Sequence, residues 1–105
     1  LDGFLPMGPC IATVNSLPYP PKVQVQSRVN GELRQDSNTD LLIFGIDHIV
    51  SELSQGMTLK PGTVIATGTP AGVGMGFDPP RFLKPGDVVE CSIEGIGSIT
   101  NTVTE

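Results

Sequence analysis

More than one residue in five of this chain is glycine or proline, 13 Gly and 10 Pro in 105 positions. Proline removes a backbone donor and fixes φ, and glycine carries the largest entropic cost of ordering. No helical bundle or coiled coil absorbs breakers at that density. What remains is a fold of short elements joined by tight turns. Charged residues are only 16% of the chain and the apolar residues gather in strand-like runs, which argues against wholesale disorder. At this length the chain is one small domain or less, with little surface to bury and little stability in reserve.

Local patterns place the elements. Residues 1–9 read as loop, and residues 10–14 as a short apolar strand. Residues 15–22 hold three prolines and read as a surface connector. From Lys22 to Val29, valines alternate with Gln24, Gln26 and Arg28, the period of a half-buried strand. Asn30-Gly31 is a strong hairpin signal, because both residues tolerate positive φ, and residues 32–36 form the returning strand. A polar cluster from Asp36 to Asp40 is rich in N-cap residues. Beyond it, Leu42, Ile46, Ile49 and Leu53 recur at helical spacing and predict a helix over about 46–54, with an earlier start as the alternative and Gly56 as its stop. Residues 63–67 (TVIAT) are β-branched and predict a buried strand. Residues 88–94 and 98–103 predict a second hairpin around Gly95-Ile96-Gly97. The expected class is α+β, a β-rich mixed-sheet roll or barrel with one main helix.

Charge and composition exclude several functions. The net charge is −5, with six scattered basic residues, and no basic stripe is present to neutralise phosphates, which argues against nucleic acid as a partner. No window approaches the ~18 apolar residues of a membrane span, so a membrane partner is not expected. Cys10 and Cys91 fit no zinc spacing; two free thiols is the simple reading, and a single disulfide the alternative. The polar cluster opening at Asp36 has an EF-hand-like order but a leucine at the required glycine position and Asp47 where a glutamate is needed, so a capped loop is the better reading. His48, the only histidine, reads as a surface or half-buried helix residue.

The informative stretch is Thr67-Gly68-Thr69-Pro70-Ala71-Gly72-Val73-Gly74-Met75-Gly76. Its glycines let a ligand approach the backbone and reach N–H donors, and Thr67 and Thr69 add hydroxyls. This suits a carboxylate or enolate oxygen. A phosphate loop fails, since no Lys-Ser/Thr follows and no G-x-G-x-x-G precedes a helix. A long turn without a ligand is the competing reading on these grounds alone.

Three strings together carry a resemblance. They are Asn30-Gly31-Glu32 with Arg34-Gln35-Asp36-Ser37-Asn38-Thr39, residues 59–74 (LKPGTVIATGTPAGVG), and residues 82–90 (FLKPGDVVE) followed by Gly95-Ile96-Gly97. With the opening Asp2-Gly3-Phe4 and Gly8-Pro9, they make the chain similar to the fumarylacetoacetate hydrolase family, specifically the C-terminal portion of its catalytic domain, over nearly all 105 residues. The resemblance implies a mixed β-roll and an enzyme acting on small 2-oxo, 1,3-dicarbonyl or dicarboxylic acids. The reactions implied are C–C hydrolysis of acylpyruvates or fumarylacetoacetate, oxaloacetate decarboxylation, and isomerisation of hydroxymuconate-type diacids. It also implies Mg²⁺ or Mn²⁺ as Lewis acid and a homodimer at full length.

Residue by residue, Thr69 matches the family's substrate-contacting threonine, with the Gly68 backbone beside it. Asp2 and Gly3 match the segment that follows the active-site lysine. That lysine, the metal carboxylates and the lid His and Glu all fall before residue 1, so no metal ligand and no catalytic residue is assigned in this chain. The expectation is therefore a portion of a domain, with sheet edges and apolar faces uncovered, that alone neither binds Mg²⁺ tightly nor turns over oxaloacetate or an acylpyruvate. The opening residues do not read as a targeting segment; cytoplasm is the default location, with the mitochondrion as alternative. Two other readings compete: a non-catalytic ligand- or partner-binding roll, and an unrelated small barrel that shares the K-P-G-D turn.

Overall fold

The computed structural model describes residues 3–105. Its centre is a four-stranded antiparallel sheet, order β2-β1-β3-β4, formed by β1 (Gln24–Val29), β2 (Glu32–Asn38), β3 (Val88–Ile93) and β4 (Gly97–Thr102). One helix, α1 (Ile46–Gly56), lies between β2 and β3 in the chain. The α+β class is the one expected.

The Asn30-Gly31 turn forms as the sequence dictates, with φ of 51° and 82°, the doubly positive pair that matches the twist of a two-residue hairpin. Asn30 does more than turn. Its Nδ2 donates to Asp87 Oδ1 at 2.9 Å, and its Oδ1 accepts from the Val88 amide at 2.9 Å. Asp87 Oδ2 accepts from the Lys84 amide at 2.9 Å, closing the K-P-G-D turn. One side chain thus clips the first hairpin to the start of β3. The Asn30 amide, then the Lys84 N–H, hold the Asp87 carboxyl below its ordinary pKa.

The β1–β2 ladder carries a bulge. Val29 faces Glu32 and Arg28 faces Leu33, but Ser27 faces Gln35, so Arg34 is the extra residue. Registers then place Val25, Ser27, Gln35, Ser37, Cys91, Ile93 and Ile99 on one sheet face, and Gln24, Gln26, Asp36, Glu90, Ser92, Ser98 and Thr100 on the other.

At the end of β2, Asn38 caps a short 3₁₀ turn, Thr39–Leu41, through the Asp40 amide at 3.1 Å. Thr39 Oγ1 donates to the Pro21 carbonyl at 2.7 Å and accepts from the Val23 amide at 3.1 Å. These bonds fix the approach to β1 and enclose Val23, the buried apolar residue of the described chain at 8% exposure.

α1 begins at Ile46, not earlier. Gly45 is its N-cap, with extended backbone and no side-chain bond, so the periodic Leu42 lies outside it. Ile46, Ile49 and Leu53 form its half-buried stripe. Tyr19 Oη donates to Asp47 at the helix start, and that carboxylate raises the phenol pKa above its ordinary value.

Two expected strands do not form. Residues 10–14 and 63–67 pair with no strand and are largely exposed, Ile11 at 93% and Val64 at 62%. β-branched runs supply a strand's side chains but not its partner, and no sheet edge reaches them here. The 10–17 segment instead lies across the β3–β4 turn, with Cys10 Sγ directed at the Ile96 carbonyl, 3.7 Å, and Leu17 against Gly95. Cys10 and Cys91 are free thiols.

Burial is the unusual property. Phe4, Leu5, Ile43, Phe44, Met75 and Phe82 are all more than half exposed, whereas monomers seldom leave so much apolar surface in water. The radius of gyration is 15.3 Å, against about 13 Å for a self-sufficient domain of this length. This is an α+β domain that is incomplete by its own packing. Among the described residues no helix is long and apolar enough to cross a membrane.

Candidate substrate-binding loop

The glycine-rich loop lies along β2 and is fastened at both ends. At its start, Gln35 Nε2 donates to Thr69 Oγ1 at 2.8 Å and to the Pro70 carbonyl at 2.9 Å. The same carboxamide accepts at Oε1 from the Ser27 hydroxyl, 2.8 Å. Ser27, Gln35 and Thr69 therefore form one line running from the central strand through the edge strand to the loop.

In the middle, the Gly72 backbone rests directly on β2. A Cβ there would collide with the Arg34 carbonyl, and φ is +106°, so the close approach requires glycine. At the far end, Gly74–Gly76 forms a single 3₁₀ turn, and the Gly74 carbonyl accepts from the Arg81 amide at 2.8 Å. The guanidinium groups of Arg34 and Arg81 each lie 5.2 Å from the Phe77 ring centre. Glu32 joins both, at 2.7 Å to Arg81 and 3.4 Å to Arg34. Arg34 Nε is buried without a hydrogen-bond partner among the described residues.

What the loop leaves facing outward is a small donor set. Thr67, Gly68 and Thr69 are exposed. Among the described residues the amides of Gly68 and Thr69 donate to no protein acceptor. The Thr69 hydroxyl has the Pro70 carbonyl at 3.5 Å as its nearest acceptor, at the outer limit of a hydrogen bond. Fixed, unspent N–H and O–H donors beside one another suit an oxygen that bears or develops negative charge.

The two residues singled out from sequence, Gly68 and Thr69, thus stand together. Asp2 lies outside the described residues, and Gly3 occupies an exposed turn. Asp36 is engaged by the Gln24 side chain at 2.8 Å, Asp40 lies in the capped turn, and His48 is exposed and stacks on Phe44 at 4.8 Å. Sequence reasoning did not assign Gln35 a role, nor the group of Glu32, Arg34, Phe77 and Arg81. The signal for Gln35 is its alternation with Arg34 after the hairpin turn, but a strand pattern does not say what a side chain meets more than thirty residues away.

A family model described as fumarylacetoacetate (FAA) hydrolase C-terminal matches residues 1–104. Among solved structures, the chain is similar to a fumarylacetoacetate hydrolase from the psychrophilic Exiguobacterium antarcticum, with 54% identity and a TM-score of 0.93 over 99% of this chain and 37% of that one. It is similar to 5-carboxymethyl-2-hydroxymuconate delta-isomerase from Mycobacterium smegmatis, 46% identical, TM-score 0.70, over 79% of this chain and 30% of that one. It is also similar to maleylpyruvate hydrolase from Sphingobium sp. SYK-6 in complex with manganese(II) and pyruvate, 36% identical, TM-score 0.81, over 92% of this chain and 34% of that one. The chain spans about a third of the length of the curated relatives it matches, 35% for a Staphylococcus aureus protein that is 49% identical.

Proposed function

The chain belongs to the fumarylacetoacetate hydrolase family, and on that footing we propose that residues 1–105, as the C-terminal portion of such a catalytic domain, supply one wall of a pocket for a small 2-oxo or 1,3-dicarbonyl acid. The Gly68 backbone and the Thr69 hydroxyl contact a substrate oxygen. The observation that carries this reading is the loop's outward set of unspent donors, held at one end by Gln35 and at the other by Glu32 and Arg81. Solved relatives include both hydrolases and an isomerase. Hydrolysis, decarboxylation and isomerisation of such acids share a developing enolate oxygen beside a carboxylate, and donors that need no reorganisation stabilise that charge. The loop therefore serves the step common to all three.

A divalent cation of the kind bound by the Sphingobium enzyme finds no fit among the described residues, where no three His, Cys, Asp or Glu side chains gather. No step is therefore routed through Mg²⁺ or Mn²⁺ in this chain. The chain's own contribution is to bind and orient, and taken alone it does not turn over oxaloacetate or an acylpyruvate. The test is a pyruvate titration of the isotope-labelled chain followed by the amide shifts of Gly68 and Thr69. Pyruvate-dependent shifts confined to this loop, and lost in Thr69→Val, are expected. A T69V chain that binds as the unmodified one does would refute the contact, and oxaloacetate turnover by the purified chain would refute the division of labour.

A further inference from the structure

We infer that Gln35 sets the polarity of the Thr69 hydroxyl, making it a committed hydrogen-bond donor to substrate and so selecting an unprotonated oxygen as its partner. Gln35 is a positioning residue in this account, and the inference rests on the Thr69 contact proposed above.

The argument is one of donor and acceptor bookkeeping. A hydroxyl can donate or accept, and which it does depends on its neighbours. The Pro70 carbonyl can only accept, so the end of the Gln35 carboxamide that faces it at 2.9 Å must be the NH₂ group. The opposite end, Oε1, then faces Ser27, whose hydroxyl donates to it at 2.8 Å. The amide is thereby locked: turning it over would set oxygen against the Pro70 carbonyl. Both N–H bonds are committed, one to Pro70 and the other to Thr69 Oγ1 at 2.8 Å. Thr69 Oγ1 is already an acceptor on its protein side, and its own hydrogen has the Pro70 carbonyl only at 3.5 Å. That hydrogen points to whatever fills the space in front of the loop. A carboxylate, enolate or carbonyl oxygen satisfies it, most strongly when charged; an O–H or ammonium group that turns only hydrogen toward the loop does not.

Charge at position 35 tests this account against simple support of the loop. Gln35→Glu keeps the shape but places a carboxylate against Thr69, which draws the hydroxyl hydrogen inward and removes the donor. Gln35→Met keeps the length and removes both N–H bonds, leaving the hydroxyl free to rotate. Q35E also sets an oxygen against the Pro70 carbonyl, which Q35M does not, so a larger loss in Q35E is required by the polarity account but does not by itself establish it. The dependence of the introduced carboxyl's titration on the Thr69 hydroxyl separates polarity from support.

The experiment is the pyruvate titration on the full chain with T69V, Q35M and Q35E. At pH 7, Q35E is expected to weaken pyruvate binding by about 10-fold or more, the worth of one hydrogen bond to a charged group, and by more than Q35M. Its affinity should recover as the pH is lowered through the titration of the introduced carboxyl, while the unmodified chain shows no gain in that window. T69V weakening binding while Q35E is no worse than Q35M, with no recovery in acid, would overturn the polarity role and leave the Thr69 contact standing. T69V without effect overturns both. The carboxyl titration at position 35 decides, with or without a pyruvate-dependent shift in the unmodified chain. Its pKa should be higher in Q35E/T69V than in Q35E, because the inward-turned hydroxyl stabilises the carboxylate; equal values would refute the inference.

Discussion

Replacing Gly72 by alanine asks whether the loop's seat on β2 holds the candidate site together. The new methyl meets the Arg34 carbonyl, a backbone atom that cannot rotate away, and the residue sits at φ +106°. An L-residue forced to positive φ costs roughly 1–2 kcal/mol, and overpacking against a fixed neighbour costs about 1–3 kcal/mol more. The bonds opposing detachment from β2 are the two from Gln35 to Thr69 and Pro70, each worth about 1 kcal/mol net, and the exposed ion pair of Arg81 with Glu32, worth about 1 kcal/mol or less. Cost and restraint are similar, so the loop is expected to leave β2 while the sheet survives. Hydrogen exchange reads this directly. The Gln35 carboxamide should lose about 10-fold or more of its protection, as 1.4 kcal/mol of easier opening requires, while the β1–β3 amides keep theirs. Gly76→Ala is the control, since a Cβ there meets Val73 at 3.8 Å, an ordinary contact. G72A with protection and Thr69 shifts unchanged would refute the idea that this contact seats the loop.

Other outcomes follow from the same geometry. The Asp87 carboxyl titrates below its unfolded value, held first by the Asn30 amide and then by the Lys84 N–H, so its contribution is present above the unfolded carboxylate pKa and lost as pH falls through the lower, folded one. Acid unfolding followed by circular dichroism should show that loss in the native chain and not in Asp87→Asn. Tyr19 is the single tyrosine, and its pKa is raised by the bond to Asp47 and that residue's charge. Its contribution is complete below the unfolded phenol pKa and disappears as pH rises through the higher folded value. Ultraviolet titration should find tyrosinate forming later in the native chain than in Asp47→Asn, and identical curves would show that the bond does not persist in solution. The exposed apolar surface predicts concentration-dependent self-association in sedimentation velocity, and a monodisperse monomer with a sharp thermal transition would contradict it.

What could be read from the sequence was what is local. The Asn30-Gly31 turn, the β3–β4 hairpin and the stripe of Ile46, Ile49 and Leu53 are each specified within a few residues, and each formed. The 10–14 and 63–67 segments carry strand chemistry but depend on partners elsewhere, and a strand without a neighbour has no ladder to join. The helix start at Ile46 was read correctly, and the earlier start that Leu42 left open is closed by the capped turn at Asn38–Leu41 and the extended Gly45, which interrupt the helical backbone before Ile46. At the candidate site, motif resemblance singled out Gly68 and Thr69, which stand side by side and exposed. Gln35 was given no role, because its meaning lies in three partners, Ser27, Thr69 and Pro70, that only the folded sheet brings together.

The bulge at Arg34 works as a phase shift. Continuing the pairing of Val29 with Glu32 and Arg28 with Leu33 without interruption would set Arg34, not Gln35, opposite Ser27. A single extra residue therefore decides whether a guanidinium or a neutral amide faces the glycine loop, and it turns the Arg34 carbonyl into the floor on which Gly72 rests. The arm between the Asn30-Gly31 turn and the loop contact has a fixed count. Its residues can be exchanged one for another, but adding or removing one would put every side chain beyond it out of step with the loop it serves.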